Sequence, residues 1–257
     1  RMDIQYDPDR YIPRQDANNL LNIFLSDPNS SSKKLFLLLG EAGFGKTWML
    51  AHWAHTLVEN RYPVFFIRLS EGLNSFFHHT FDSTRLEAFQ SLRNEFSNKH
   101  QPKDDQFKPI IWILDGYDEI YDDDEKGLIL VNFLKFLETT DNQRAILSSR
   151  MFNWLRCSKR KDQQGRLSKI CWYPPNPDEK PLNFTYRLNK FTPSEMIQAI
   201  NKYALPPVEQ WAPSLKELAF YPLWVRLISQ VAFQNNQMPS TLNINLYTSY
   251  FNRMHIS

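Results

Sequence analysis

Residues 35–39 form an unbroken apolar run, Leu-Phe-Leu-Leu-Leu, as expected of a parallel strand buried on both faces. The pattern recurs. Apolar stretches at 64–69, 110–114 and 145–148 predict further strands, and 184–188 predicts a last one. Between them the period lengthens to that of a helix. Leu20, Leu21, Phe24 and Leu25 share one face of a helix capped by Asp16, and helices are expected over 47–60, 84–98 and 125–140. Strand alternating with helix implies a parallel sheet with helices on both faces. From Thr192 the pattern is helical only, with helices expected at 193–204, 214–220, 222–234 and from about 245. The stretch 156–180 fits neither period. Its basic cluster (Arg156, Lys159, Arg160, Lys161, Arg166), followed by Pro174, Pro175 and Pro177, predicts an irregular loop.

The expected organisation is an α/β domain over 1–190, a small helical domain over 191–238, and the truncated start of a further domain over 239–257. The chain reads as a piece of a longer protein. Its 257 residues carry a formal charge of only +2, which gives no global argument for a nucleic-acid or membrane partner. No apolar run is long enough to span a bilayer. Two cysteines without metal spacing, Cys157 and Cys171, point to a reducing, cytoplasmic setting.

Glycine changes the picture. Four of only seven glycines (Gly40, Gly43, Gly45, Gly116) fall in two short motifs. The first, Gly40-Glu41-Ala42-Gly43-Phe44-Gly45-Lys46-Thr47, matches G-x-x-x-x-G-K-[ST] between an apolar strand and an amphipathic helix. Such a loop turns its backbone N–H groups inward around phosphate oxygens, where side chains would block the approach. The helix that follows points its positive end at the same oxygens. Lys46 would reach the β- and γ-phosphates, and the Thr47 hydroxyl would bind Mg²⁺. Trp48 follows in the nucleotide-binding set, its ring packing rather than stacking on the base.

The second motif ends the strand at 110–114 with Asp115-Gly116-Tyr117-Asp118-Glu119. Asp115 is placed to join Thr47 in the Mg²⁺ shell. Glu119 is the first choice, and Asp118 the second, for orienting or deprotonating an attacking water. Asp122, Asp123 and Asp124 read as a solvated helix start. Phe76-Phe77-His78-His79 reads as loop packing, since two adjacent histidines need further ligands to hold an ion.

Asp115-Gly116-Tyr117-Asp118-Glu119 resembles the D-G-x-D-E signature of NACHT domains, which belong to the STAND class of P-loop ATPases that includes NOD-like receptors. Leu147-Ser148-Ser149-Arg150 resembles the family's strand-ending T-S-R, which implies that Arg150 senses the γ-phosphate. Tyr221-Pro222-Leu223 resembles the helical-domain proline motif, which implies that Pro222 packs on the adenine. Tyr11-Ile12-Pro13-Arg14 resembles the segment lining the base, which implies contacts from Ile12 and Arg14. The resemblance implies a P-loop fold and an ATP/ADP switch of a signalling or innate-immunity protein. ADP would hold a closed monomer, ATP would allow self-association, and slow hydrolysis would reset it, with sensor and effector domains elsewhere. His255, in a look-alike of the family's winged-helix histidine, comes too soon after Pro222 and reads as an ordinary helix residue.

Three other readings compete. An AAA+-type remodelling ATPase usually has its second acid directly after the first, whereas Gly116 intervenes here. A GTPase would show N-K-x-D, but neither Asn98-Lys99, Asn189-Lys190 nor Asn201-Lys202 continues that way. A nucleic-acid-binding module would rest on residues 156–169 alone, which lack helical spacing and stacking aromatics.

Overall fold

The computed structural model describes residues 6–27, 32–69, 108–120, 123–158, 161–174, 185–235 and 238. The helix expected over 84–98, the 76–79 stretch, His255 and the whole of 239–257 lie outside the described residues. The chain falls into two compact units. One comprises residues 19–39 and 53–187, and the other comprises 1–18, 40–52 and 188–257.

A five-stranded sheet dominates the first unit. Its strands are β1 (Leu35–Gly40), β2 (Val64–Arg68), β3 (Ile110–Asp115), β4 (Gln143–Ser149) and β5 (Tyr186–Leu188), in the order β2-β3-β4-β1-β5. The β2–β3, β3–β4 and β4–β1 ladders are parallel. Every residue of β1 and β3 is buried, which is why the sequence there is continuously apolar rather than alternating. Leu37 and Leu39 of β1, with Trp112 and Leu114 of β3, share one core with Leu130, Phe133, Leu134 and Leu137 of helix α3 (Asp123–Thr139). Helices α1 (Gln15–Ser26) and α2 (Lys46–Glu59) precede it in the chain.

Buried polar groups in this core have partners, as low dielectric demands. The Trp112 indole N–H donates to Gln143 Oε1 at 2.7 Å. The Lys34 ammonium, only 6% exposed, donates to the Leu137 and Thr140 carbonyls. Those carbonyls lie at the C-terminus of α3, where a cation is favoured.

Within the stretch 156–180, expected as an irregular loop, the described residues 156–158 and 161–170 are helical instead. Helices α4 (Met151–Ser158) and α5 (Lys161–Ile170) occupy its first part. Trp154, Leu167 and Ile170 are buried in the sheet core. Three apolar anchors suffice to dock two short helices, and the many charges between them hide the period from the sequence. Cys171 then bridges to Leu35, and the Trp172 N–H donates to the Leu35 carbonyl at 2.8 Å.

The second unit is built around helices α6 (Pro193–Lys202), α7 (Pro213–Lys216) and α8 (Pro222–Asn235). Thr192 starts α6 with a full capping box to Glu195. The helix expected at 214–220 is one α turn followed by a 3₁₀ turn, Glu217–Phe220. Ile12 of the N-terminal segment joins Ile200, Leu215, Val225 and Ile228 in the core of this unit.

Candidate functional site

The glycine loop belongs to the helical unit by compactness. β1 delivers the chain to Gly40, and α2 begins at Lys46. Gly43 and Gly45 have φ of 80° and 92°, a region costly to residues with a Cβ. The loop is also closely approached. A Cβ on Gly43 would lie 3.2 Å from Leu223 Cβ, and one on Gly45 would lie 3.5 Å from Pro222. The start of α8 is thus seated on the loop backbone. The Leu223 N–H donates to the Gly43 carbonyl at 3.1 Å, and the Phe44 and Tyr221 rings sit 5.7 Å apart.

The Lys46 ammonium curls back over the loop, donating to the Gly40 carbonyl at 2.7 Å and the Glu41 carbonyl at 3.3 Å. Glu41 and Ala42 are exposed at the rim, and Thr47 is half-buried one residue into α2. Positive-φ glycines, a helix N-terminus and an inward-curled lysine form a cradle whose donors fit the phosphates of a nucleotide.

Residues predicted to line the base divide in two. Ile12 is 5% exposed and belongs to the helical core. The Arg14 guanidinium bonds Glu195 Oε2 at 2.8 Å and the Asn189 carbonyl at 3.0 Å, and it lies 4.6 Å from the Phe191 ring centroid. Arg14 therefore ties the N-terminal segment to α6. Trp48 sits in an aromatic cluster that the sequence reading passed over. The Arg226 guanidinium lies 5.0 Å from its ring centroid, and Tyr6 approaches edge-on at 6.2 Å. Tyr11 stacks on His52 at 4.2 Å, and the Tyr6 hydroxyl bonds His52 Nδ1 at 2.8 Å. The Trp48 indole nitrogen and the Tyr11 hydroxyl are buried without a hydrogen-bond partner. The Trp48 and His52 spacing of four on one helix was the available signal.

The acidic motif belongs to the sheet unit. Asp115 ends β3 and is 6% exposed. Its Oδ1 accepts the Ser148 hydroxyl at 2.7 Å, and the Ser148 oxygen accepts the Gly116 N–H at 2.9 Å. Ser148, also missed from sequence, thereby fixes both the carboxylate and the turn behind it. Gly116 has φ of 79°, and its ideal Cβ would fall 2.9 Å from the Glu119 carboxyl carbon. Glu119 is exposed on a 3₁₀ turn, Tyr117–Glu119. Asp118 is paired with Arg150, Oδ2 to Nε at 2.8 Å. Because β4 lies between β1 and β3, Arg150 leaves the sheet between the strand that enters the loop and the strand that ends in Asp115.

No protein-family model matches the chain, and no curated protein matches it. Solved structures do match. Replication initiator DnaA bound to AMPPCP and single-stranded DNA superposes with a TM-score of 0.53 at 11% identity, covering 90% of this chain and 65% of that one. The Aeropyrum pernix Orc1 protein in complex with DNA gives 0.53 at 13% identity, covering 97% of this chain and 67% of that one. Domain III of the Thermotoga maritima replication initiation protein DnaA gives 0.53 at 15% identity, covering 91% and 94%. The fold is that of the P-loop NTPases.

This P-loop fold spans about 65% of the length of the first of these initiators. Two of the structures named are replication initiation proteins and the other is an Orc1 protein, so they lend no support to the narrower NACHT assignment. Among the described residues, no helix of this P-loop chain is long and apolar enough to cross a membrane.

Proposed function

We propose that this chain is an ATP- and ADP-binding ATPase module whose helical unit responds to the nucleotide held by the glycine loop. The observation that carries the reading is the seating of α8 on that loop, through Leu223 N–H to Gly43 O and Pro222 against Gly45. A ligand in the loop would bear on the same backbone that α8 rests on. Phosphates would be held by the loop N–H groups and Lys46. Mg²⁺ held with the help of the Thr47 hydroxyl would supply charge neutralisation at the phosphate oxygens. Ser148 keeps the Asp115 carboxylate oriented, and Glu119 is the acid exposed to water.

Of the finer readings, an AAA+-type ATPase that remodels or assembles on a partner has the better support, because the initiator fold neighbours belong to that type. It brings DNA forward as a candidate partner, since two of those neighbours are recorded with DNA. From the sequence, nucleic acid stood only as a competing reading that rested on residues 156–169. The second reading, a NACHT-like switch, keeps the support of Gly116 between the acids and of Pro222 at the loop. The nucleotide released on denaturing the purified protein should be adenine-based, and calorimetry should show ADP binding far more tightly than GDP. Turnover that rises with DNA favours the AAA+ reading. Tightly retained ADP with a mass increase on adding an ATP analogue favours the switch. Equal affinity for ADP and GDP would remove both.

A further inference from the structure

The stretch that forms α4 and α5 carries a charge the rest of the chain lacks. Residues 151–170 hold six basic side chains (Arg156, Lys159, Arg160, Lys161, Arg166, Lys169) against one acid, Asp162. That is +5 within a chain of +2, so the remaining residues sum to −3. Such a concentration attracts polyanions. Charge alone is also what a solvated helix face carries, and a second feature separates the two. Phe152 of α4 is 73% exposed. It stands one turn before Arg156, which is exposed too, so ring and guanidinium share one face of the helix. Trp154, between them in sequence, is buried in the sheet core on the opposite side.

The neighbouring helix is built alike. Leu167 and Ile170 bury one side of α5 in the same core, while Gly165, Ser168 and Lys169 are exposed. The two helices pack on each other, so their outward faces lie side by side within the sheet unit. A Cβ on Gly165 would meet nothing within 4 Å. Packing therefore does not require this mid-helix glycine, which weakens its own helix and leaves bare backbone at the surface. Arg166 pairs with Glu138 at 2.5 Å, and Arg156 and Lys169 are the more exposed cations. A membrane surface would need a broad apolar face. Among the described residues, Phe152 is the one large apolar side chain that these two helices expose. A duplex hides the faces of its bases, whereas a single strand offers them to a ring while cations beside the ring hold its phosphates.

We propose that the outward face of α4 and α5 binds single-stranded nucleic acid, Phe152 stacking on a base and Arg156 and Lys169 holding the adjacent phosphates. This rests on the reading above that brings nucleic acid forward as a partner, and it adds where the strand is held and by what chemistry. It draws only on the sheet unit and not on what the glycine loop holds.

The test is fluorescence anisotropy with labelled oligodeoxythymidylate, oligouridylate and a DNA duplex, over a series of salt concentrations. The proteins are the parent, Phe152→Ala, Phe152→Tyr and the double variant Arg156→Ala/Lys169→Ala. The parent should bind a single strand about tenfold more tightly than the duplex, and the tighter of the two homopolymers identifies the sugar. Phe152→Ala should lose about tenfold in affinity, the order expected for one stacked base. Phe152→Tyr keeps the ring and should stay within about twofold of the parent. The double variant should lower the slope of log affinity against log salt by about 1.4, since each phosphate contact on a single strand contributes about 0.7. A Phe152→Ala that binds like the parent, or a parent that binds the duplex equally well, would overturn the proposal while leaving nucleic acid as a partner. A parent that binds none of the three probes would overturn both.

Discussion

Gly116 shows how one residue sets the chemistry of its neighbours. Its φ of 79° and the fold of the Glu119 carboxyl over it leave no comfortable room for a side chain. Gly116→Ala should lower stability by about 1–2 kcal/mol, the cost of a left-handed residue with a Cβ. It should also displace Glu119, whose flexible carboxyl is the group that gives way. Chemical denaturation reads the first effect and single-turnover hydrolysis the second. Unchanged stability would mean that the turn relaxes and that Gly116 is not required for its conformation. At this scale the sequence was informative because phosphate loops and strand-ending acids confine residue types tightly. It could not reveal that Arg150 is gripped by Asp118, or that Ser148 holds Asp115, since each pair joins residues more than thirty positions apart on neighbouring strands.

At the scale of elements, apolar runs announced the buried strands, and 3.6-residue spacing announced α1, α2, α3, α6 and α8. The helices α4 and α5 stayed hidden because each docks by one or two anchors amid charged residues. The N-terminal segment is the other element whose role needed the structure. Arg14 finds Glu195 across 181 residues of sequence, and no local pattern marks the two as partners of each other. Their side chains are 7% and 14% exposed, so removing one strands the other in a poorly solvated place. Glu195→Ala should cost about 3–5 kcal/mol, added to about 1 kcal/mol for the capping box it completes. Thr192→Ala should show the capping loss alone. Urea denaturation of both variants measures this, and equal losses would mean that the ion pair contributes nothing.

The whole molecule should lose stability in alkali. Burial pushes the Cys171 thiol up to about 12 from its ordinary 9.0 and raises the phenols of Tyr11, Tyr173 and Tyr203 above theirs. These groups ionise more readily in the unfolded chain, so their contribution is complete below pH 9.0 and is lost as the pH climbs toward the folded values. Cys171 alone contributes a slope of at most about 1.4 kcal/mol per pH unit above its unfolded value. Denaturation midpoints at successive pH values should fall above that point, and a flat profile would contradict the burial. Peptide-resolved alkylation near neutral pH should leave Cys171 unmodified until the protein unfolds.

The central claim is that the glycine loop holds a nucleotide and that Lys46 is its chief cation. The most direct measurement is the ADP-dependent shift in unfolding free energy, compared between the parent and Lys46→Ala. At about 100 times its dissociation constant, ADP should stabilise the parent by roughly 2.7 kcal/mol by mass action. Lys46→Ala should fold alike and show almost none of that gain. A full ADP-dependent gain in Lys46→Ala, or none in the parent, would contradict the account.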